Sequence, residues 1–500
     1  MTAVRPHVIP SRRRFDAIVI GSGSGGLTVA VGLGRFGRDA LLIEREHMGG
    51  DCTNTGCIPS KTLLHQTAAL AAGSGADPRS ILAGVRAHRD ALRDHEVQEF
   101  GGADGVTFVY GRGTLNSDRS VSITRGDGTV WRAAADNVVL ATGSSPRRLD
   151  VPGFDDGGGD GDGNGDRVVL TNEELFELST PPTHLAIIGA GAIGLEMALA
   201  FRRLGSAVTV VELANQVLPG VLPEAAGIVA GALVEHGIVI RTGVRVAGYR
   251  SDGGRLELAP TSPAAANNGG SIPVDSVDRV LVAVGRVPNT SGLGLVEAGV
   301  ELDDRGAVVV DGRGRTSSKG VWAVGDMTNK GGTTHDAAIR GRRIIQSIVQ
   351  PYLPIGDEPL RPTVTFTDPE VASIGDQPAS PPADVVRITV DGAGIDRSYT
   401  DGVDRGILVV DVRPPTGTVL GATIVGPRAG EIITTFSLAM KAGIAFHRWY
   451  GTVIPYPTYS EVITKAVQQY LSEVGSDVTG HTVRWATGLL GRTRARLSRT

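Results

Sequence analysis

The sequence predicts an α/β chain: two copies of a doubly wound parallel-sheet unit, followed by a smaller C-terminal α+β domain. Three observations carry this. A strand–glycine loop–helix–strand segment occurs twice, at 15–44 and at 184–212. The chain is 500 residues long and 41% hydrophobic, enough to bury two to four cores. From residue 351 the pattern changes to alternating strands such as "GILVVDV" and "GATIVG".

The first unit reads "FDAIVIGSGSGGLTVAVGLGRFGRDALLIE" and the second "HLAIIGAGAIGLEMALAFRRLGSAVTVVE". Each opens with a short apolar run suited to a strand buried on both faces. A glycine triplet follows, Gly21, Gly23 and Gly26 in the first and Gly189, Gly191 and Gly194 in the second. Each copy ends on an acid, Glu44 or Glu212, 23 residues beyond its first glycine. The first glycine permits the tight turn, the second lets backbone approach a pyrophosphate, and the third lets helix and strand pack closely. The helix N-terminus faces the phosphates, and the acid accepts from ribose hydroxyls. Two copies at one spacing imply two Rossmann-like sites and two bound dinucleotides. Glu212 would repel a 2′-phosphate, and the following "LANQVLP" supplies no arginine to pair with one, so NAD(H) is expected over NADP(H).

Between the units lies "GGDCTNTGCIPSK" (49–61), which holds both cysteines of the chain. In a regular helix, Cys52 and Cys57 would stand about 140° apart and roughly 7.5 Å along the axis, past the ~7 Å reach of a disulfide. A bridge therefore needs a distorted turn, which Gly56 allows, with Pro59 suited to a first helical turn. That helix end and Lys61 would both lower a thiol pKa. Two inert buried thiols are the alternative to a redox-active pair.

Composition narrows the class. Net charge is −4, which offers no general attraction to nucleic acid. The N-terminus lacks an apolar signal core, and the nearest apolar window, 185–201, carries Glu196 and three glycines. A cytoplasmic protein with reduced thiols is expected, and no metal site is predicted.

With these residues in place, the chain resembles the FAD-dependent pyridine nucleotide–disulfide oxidoreductases, in the group of dihydrolipoamide dehydrogenase and mercuric reductase. Supporting segments fall in the family's order: "VVLATGSSP" (138–146) with Thr142 and Gly143, "VLVAVGRVPN" (280–289) with Gly285, "GVWAVGDMT" (320–328) and "TVTFTDPEVASIG" (363–375). The resemblance implies FAD in the first unit, with Asp326 on its ribityl chain and Lys61 near its reactive nitrogen, paired with Glu196. It further implies a Cys52–Cys57 disulfide, with Cys57 against the flavin and Cys52 meeting substrate. It also implies a homodimer, because the family's C-terminal acid/base segment acts on the partner's disulfide. The electron acceptor or donor would be a small molecule or a dithiol.

The pattern departs from the family in one place. Where members that exchange with disulfides carry a histidine, "IPYPTYSEVITKA" (454–466) has Tyr456, with Glu461 retained. A phenol of ordinary pKa is a poor base at neutral pH. Mercuric-reductase-like chemistry, quinone or metal reduction, and a slow redox sensor therefore stand beside a dithiol substrate. The expected boundaries are a flexible N-terminus at 1–13, an FAD domain at 14–150 and 287–350, a Gly/Asp-rich linker at 151–166, an NAD(P) domain at 167–286, an interface domain at 351–470 and a basic tail at 471–500. The linker matches half of a calcium loop but lacks the twelfth-position glutamate, which is Thr171. The tail is expected to be a solvated end, with an amphipathic membrane contact as the alternative.

Overall fold

The computed structural model describes residues 14–154, 167–261, 272–414 and 416–474. The expectations for residues 1–13, for 155–166 of the linker and for the tail beyond 474 lie outside the described residues.

The first sheet has five parallel strands in the order Val106–Tyr110, Ala40–Glu44, Arg14–Ile20, Val130–Leu140 and Val321–Ala323. The central strands are continuous apolar runs because helices or further strands cover both faces: Ala17, Ile18, Val19, Leu41, Leu42 and Val139 are fully buried. Residues 134–140 of strand Val130–Leu140 join this sheet. Its first half pairs antiparallel with Val121–Thr124, which pairs with Arg112–Leu115. Val321–Ala323 comes from far downstream and sets Trp322 against Val139. The chain thus leaves the first sheet at Leu140 and returns to complete it.

The excursion is the second unit. Its parallel sheet runs Val239–Arg241, Ala207–Val211, His184–Ile188, Arg279–Val282 and Val169–Leu170; the first four are ordered as in the first sheet, but the edge strand Val169–Leu170 enters before them and not after. Thr171 caps a short helix, Asn172–Leu175, through a reciprocal capping box with Glu174. The residue at the twelfth calcium-loop position is therefore committed to a helix start. The two units meet at an antiparallel pair, Ser144–Pro146 against Arg286–Pro288.

The C-terminal domain is an antiparallel sheet ordered Thr363–Thr365, Glu370–Gly375, Thr418–Gly426, Ile407–Arg413 and Val386–Asp391. One face is covered by helices Ala429–Lys441 and Glu461–Val474, where Phe436, Phe446, Trp449 and Tyr470 stack tilted or edge-on at centroid distances of 5.1–5.5 Å. On the other face, Val371, Val409 and Val425 share an apolar cluster with Ala226, Val229 and Leu233 of the second unit. The same cluster takes in Leu63, Leu64, Ile81 and Leu82 from helices Cys57–Ala71 and Pro78–Phe100. One continuous core therefore ties the cysteine-bearing helix to both later domains. Among the described residues no helix is long and apolar enough to cross a membrane.

Candidate active site

The two glycine triplets take matching geometry. Gly21 has φ +102° and Gly189 φ +105°, values that favour glycine. A Cβ on Gly21 would fall 2.3 Å from the Ala141 carbonyl oxygen, and one on Gly189 would fall 2.4 Å from that of Ala283. A Cβ on Gly26 or Gly194 would lie 2.0 Å from the carbonyl oxygen of its own first glycine. The middle glycines face space: nothing lies within 4 Å of a Cβ on Gly191, and only Gly50 Cα, at 3.9 Å, approaches one on Gly23. Steric need thus fixes the first and third positions, and access governs the second.

Each terminal acid is held by backbone. Glu44 accepts from the Ser22 N–H at 2.9 Å, the Ser22 hydroxyl at 2.6 Å and the Glu46 N–H at 2.9 Å. Glu212 accepts from the N–H groups of Ala190 at 2.7 Å and Ala214 at 2.8 Å. Both carboxylates are pre-oriented at the mouth of their glycine loop.

In the first unit this loop opens into a cavity of about 770 Å³ running from Glu44 past Thr142, Gly143 and Asp326 to Cys52, Cys57 and Thr334. Asp326 accepts from the Ser144 hydroxyl at 3.3 Å and the Gly332 N–H at 3.1 Å. Arg286, across the crossover, donates to the Ser144 hydroxyl and carbonyl, each at 2.8 Å, and lies 3.3 Å from Asp51. Thr142 and Asn289 exchange hydrogen bonds at 2.7 and 3.0 Å. Gly285 sits at this crossover with φ +107°. The cavity suits an FAD: an acid for the ribose, an open glycine loop for the pyrophosphate, Asp326 for polyol hydroxyls and a dithiol at the far end.

The distorted turn expected between the cysteines is present. Helix Gly50–Asn54 carries Cys52, the chain breaks at Thr55 and Gly56, and helix Cys57–Ala71 starts on Cys57. Both cysteines are free thiols within interaction range of each other. The Cys52 thiol hydrogen-bonds to Cys57, which brings the Cys57 pKa down to about 6 against the cost of burial. Thr334, 3.7 Å away, and the Lys61 charge push the same way. Cys52 is pushed well up by that same bond, by burial and by the neighbouring charge. Position at the first turn of a helix adds a favourable dipole for the Cys57 thiolate.

Lys61 donates to Glu196 at 2.7 Å. Glu196 is 4% exposed, and its other oxygen accepts from the Phe366 N–H at 3.0 Å. The Phe366 ring lies 4.7 Å beneath the Lys61 ammonium. All three domains therefore meet at Lys61.

Tyr456 and Glu461 are not among the residues lining this cavity. Tyr456 is exposed and donates to Asp396 at 2.9 Å, which raises its pKa, chiefly through that hydrogen bond. Glu461 faces Lys465 at 3.7 Å instead of Tyr456. No group of three or more metal-ligating side chains occurs among the described residues.

Sequence reasoning passed over Thr334, Phe366, Arg286 and Asp396. Phe366 and Arg286 lay inside quoted segments without assigned roles. Thr334 lies 277 residues from Cys57 and carries no local signal.

The family description "Pyridine nucleotide-disulphide oxidoreductase" matches residues 15–341, and the dimerisation domain of the same family matches 361–467. The chain is 31% identical to the dihydrolipoyl dehydrogenase of Haloferax volcanii over 478 residues, covering 92% of this chain and 96% of that protein. It is 30% identical to the mercuric reductase of Streptomyces lividans over 479 residues, covering 92% and 97%. Among solved structures, the Cu(II) complex of the HOCl-induced flavoprotein disulfide reductase RclA from Escherichia coli superposes with a TM-score of 0.81 at 25% identity, over 92% of this chain and 100% of that one.

Proposed function

This chain belongs to the pyridine nucleotide-disulphide oxidoreductase family, and from that premise we propose that Cys52 and Cys57 exchange electrons between NADH and a small dithiol or disulfide of the lipoyl type, within a homodimer. The observation that carries the reading is the asymmetric thiol pair: a thiolate-forming Cys57 at the inner end of the nucleotide cavity and a protonated Cys52 beside it. When bound, FAD supplies the two-electron chemistry between nicotinamide and sulfur.

The chain's own residues divide the remaining work. Glu44 and the open turn at Gly23 hold the ribose and pyrophosphate ends of the first dinucleotide, while Glu212 and Gly191 do so for the second. Glu212, fixed by two N–H groups, presents a carboxylate where a 2′-phosphate would have to sit, which supports NADH over NADPH. Lys61 keeps a positive charge beside Cys57, and Glu196 with the Phe366 N–H fixes its direction. Cys52, kept as a thiol, holds its proton until substrate sulfur arrives. Tyr456 and Glu461 of one protomer would face the thiol pair of the other.

The decisive experiment first oxidises the thiol pair to the disulfide, then adds NADH to the anaerobic enzyme and counts thiols. Two new thiols per chain are expected, and none in Cys52→Ser. An unchanged count with NADH consumed would reject the thiol pair as part of the route. Tyr456, where disulfide-exchanging members carry histidine, favours a second reading: an acceptor that needs little proton transfer, such as a metal ion or quinone. The relatives named for mercuric ion reduction and for a Cu(II) complex support it. Cys52→Ser should abolish lipoyl-type turnover, and survival of quinone turnover in that variant would separate the two acceptor classes.

A further inference from the structure

Tyr456 and the retained Glu461 lie five residues apart, yet the two side chains are not bonded to each other. The Tyr456 hydroxyl donates to Asp396 Oδ2 at 2.9 Å. Glu461 Oε2 is buried with no hydrogen-bond partner among the described residues, and Oε1 lies 3.7 Å from Lys465 Nζ. Asp396 opens the helix Asp396–Asp401, and this helix and the residues just before it are anchored to the 456 segment at two more points. Tyr459 donates to Asp401 at 2.6 Å, and Lys465 donates to the Gly394 carbonyl at 2.6 Å. Arg397 in turn pairs with Asp401 at 2.7 Å and lies over the Tyr459 ring. The charged and titratable groups around Tyr456 are thus Asp396, Arg397 and Asp401 from the facing helix, with Tyr459, Glu461 and Lys465 from its own segment.

We infer that Asp396 is a positioning residue for Tyr456, fixing its hydroxyl so that the phenol offers an accepting oxygen, and not a proton, to a substrate thiol. The inference rests on the reading that Tyr456 serves the partner's thiol pair. A phenol has one hydrogen, and here Asp396 takes it, so the outward lone pairs of the oxygen can only accept. A substrate S–H meets such a group well, whereas a departing thiolate meets it poorly. No proton leaves the phenol in this role. The hydrogen bond to the incoming S–H is the contribution of Tyr456, and it favours binding of the dithiol over the disulfide form.

The test uses the intact holoenzyme with dihydrolipoamide as probe, in a double-mutant cycle of Asp396→Ala and Tyr456→Phe. Flavin reduction by NADH on the same preparations counts competent sites. Losing one hydrogen bond of ordinary strength corresponds to about a 3- to 10-fold fall in kcat/KM. That fall is expected for Asp396→Ala in the wild-type background and not on top of Tyr456→Phe. Asp396→Asn, which still accepts from the hydroxyl, should recover most of it. Independently of turnover, the tyrosinate absorbance assigned by difference from Tyr456→Phe should titrate at lower pH in Asp396→Ala. Equal losses in both backgrounds, or an unmoved titration, would overturn the inference. If Tyr456→Phe alone leaves dithiol turnover at the wild-type level, the placement of Tyr456 at the partner's thiols fails, while the titration still decides whether Asp396 holds the phenol.

Discussion

Cys57 and Cys52 have the same side chain and opposite protonation, and the difference is made by a single shared proton. Cys52 donates, Cys57 receives, and Thr334 and Lys61 reinforce the receiver. The sign follows for reactivity. With the Cys57 pKa near 6, the thiolate forms as pH rises through that value and is complete above about pH 8. Alkylation of the reduced protein by iodoacetamide should therefore rise through pH 6, level off, and map to Cys57 and not Cys52. Lys61→Met and Thr334→Val each remove a group that favours the thiolate, so each should move the midpoint upward. A midpoint that stays put in both variants would leave the Cys52 bond as the sole cause. The asymmetry could not be read from "CTNTGC", because either thiol could have been the donor.

At the scale of elements, the glycine loops and the helix carrying Lys61 make separable demands. Gly26→Ala and Gly194→Ala each force a Cβ to within 2.0 Å of a carbonyl oxygen, so the helix must withdraw from its strand. Overpacking of this kind costs about 1–3 kcal/mol. Purified Gly26→Ala should lose most of its flavin, read from the absorbance ratio, whereas Gly194→Ala should keep flavin and show a raised KM for NADH, about tenfold or more. The reverse pattern would exchange the two nucleotide assignments. Glu196 links three elements, and Glu196→Leu leaves Lys61 and the Phe366 N–H without a partner. Lys61 is 37% exposed, so the cost should fall below the 3–5 kcal/mol of a fully buried pair, at about 2 kcal/mol by urea unfolding.

For the whole molecule, the proposed site is complete only if two chains meet. Tyr456 is absent from the cavity that holds the cysteines, and the segment 361–467 matches a dimerisation domain. Mixing Cys52→Ser with Tyr456→Phe protomers should therefore restore turnover. In a mixed dimer, one of the two sites has an unaltered cysteine pair from one chain and an unaltered Tyr456 from the other. Random pairing makes half the dimers mixed and about a quarter of all sites intact. Activity that stays at the mean of the two parents would place Tyr456 outside the partner's site.

The sequence by itself determined what depends on local geometry: a turn that only glycine can make, an acid at fixed distance beyond it, a chain broken between two cysteines. Those residues sit within a few turns of one another, so spacing alone constrains them. The tertiary structure decided what depends on chain segments hundreds of residues apart, namely Val321–Ala323 closing the first sheet, Thr334 reaching Cys57, the Phe366 N–H reaching Glu196, and Asp396 in place of Glu461 holding Tyr456. Hydrogen bonds act over about 3 Å whatever the separation along the chain, and only the packed core of three domains brings such distant partners within that range.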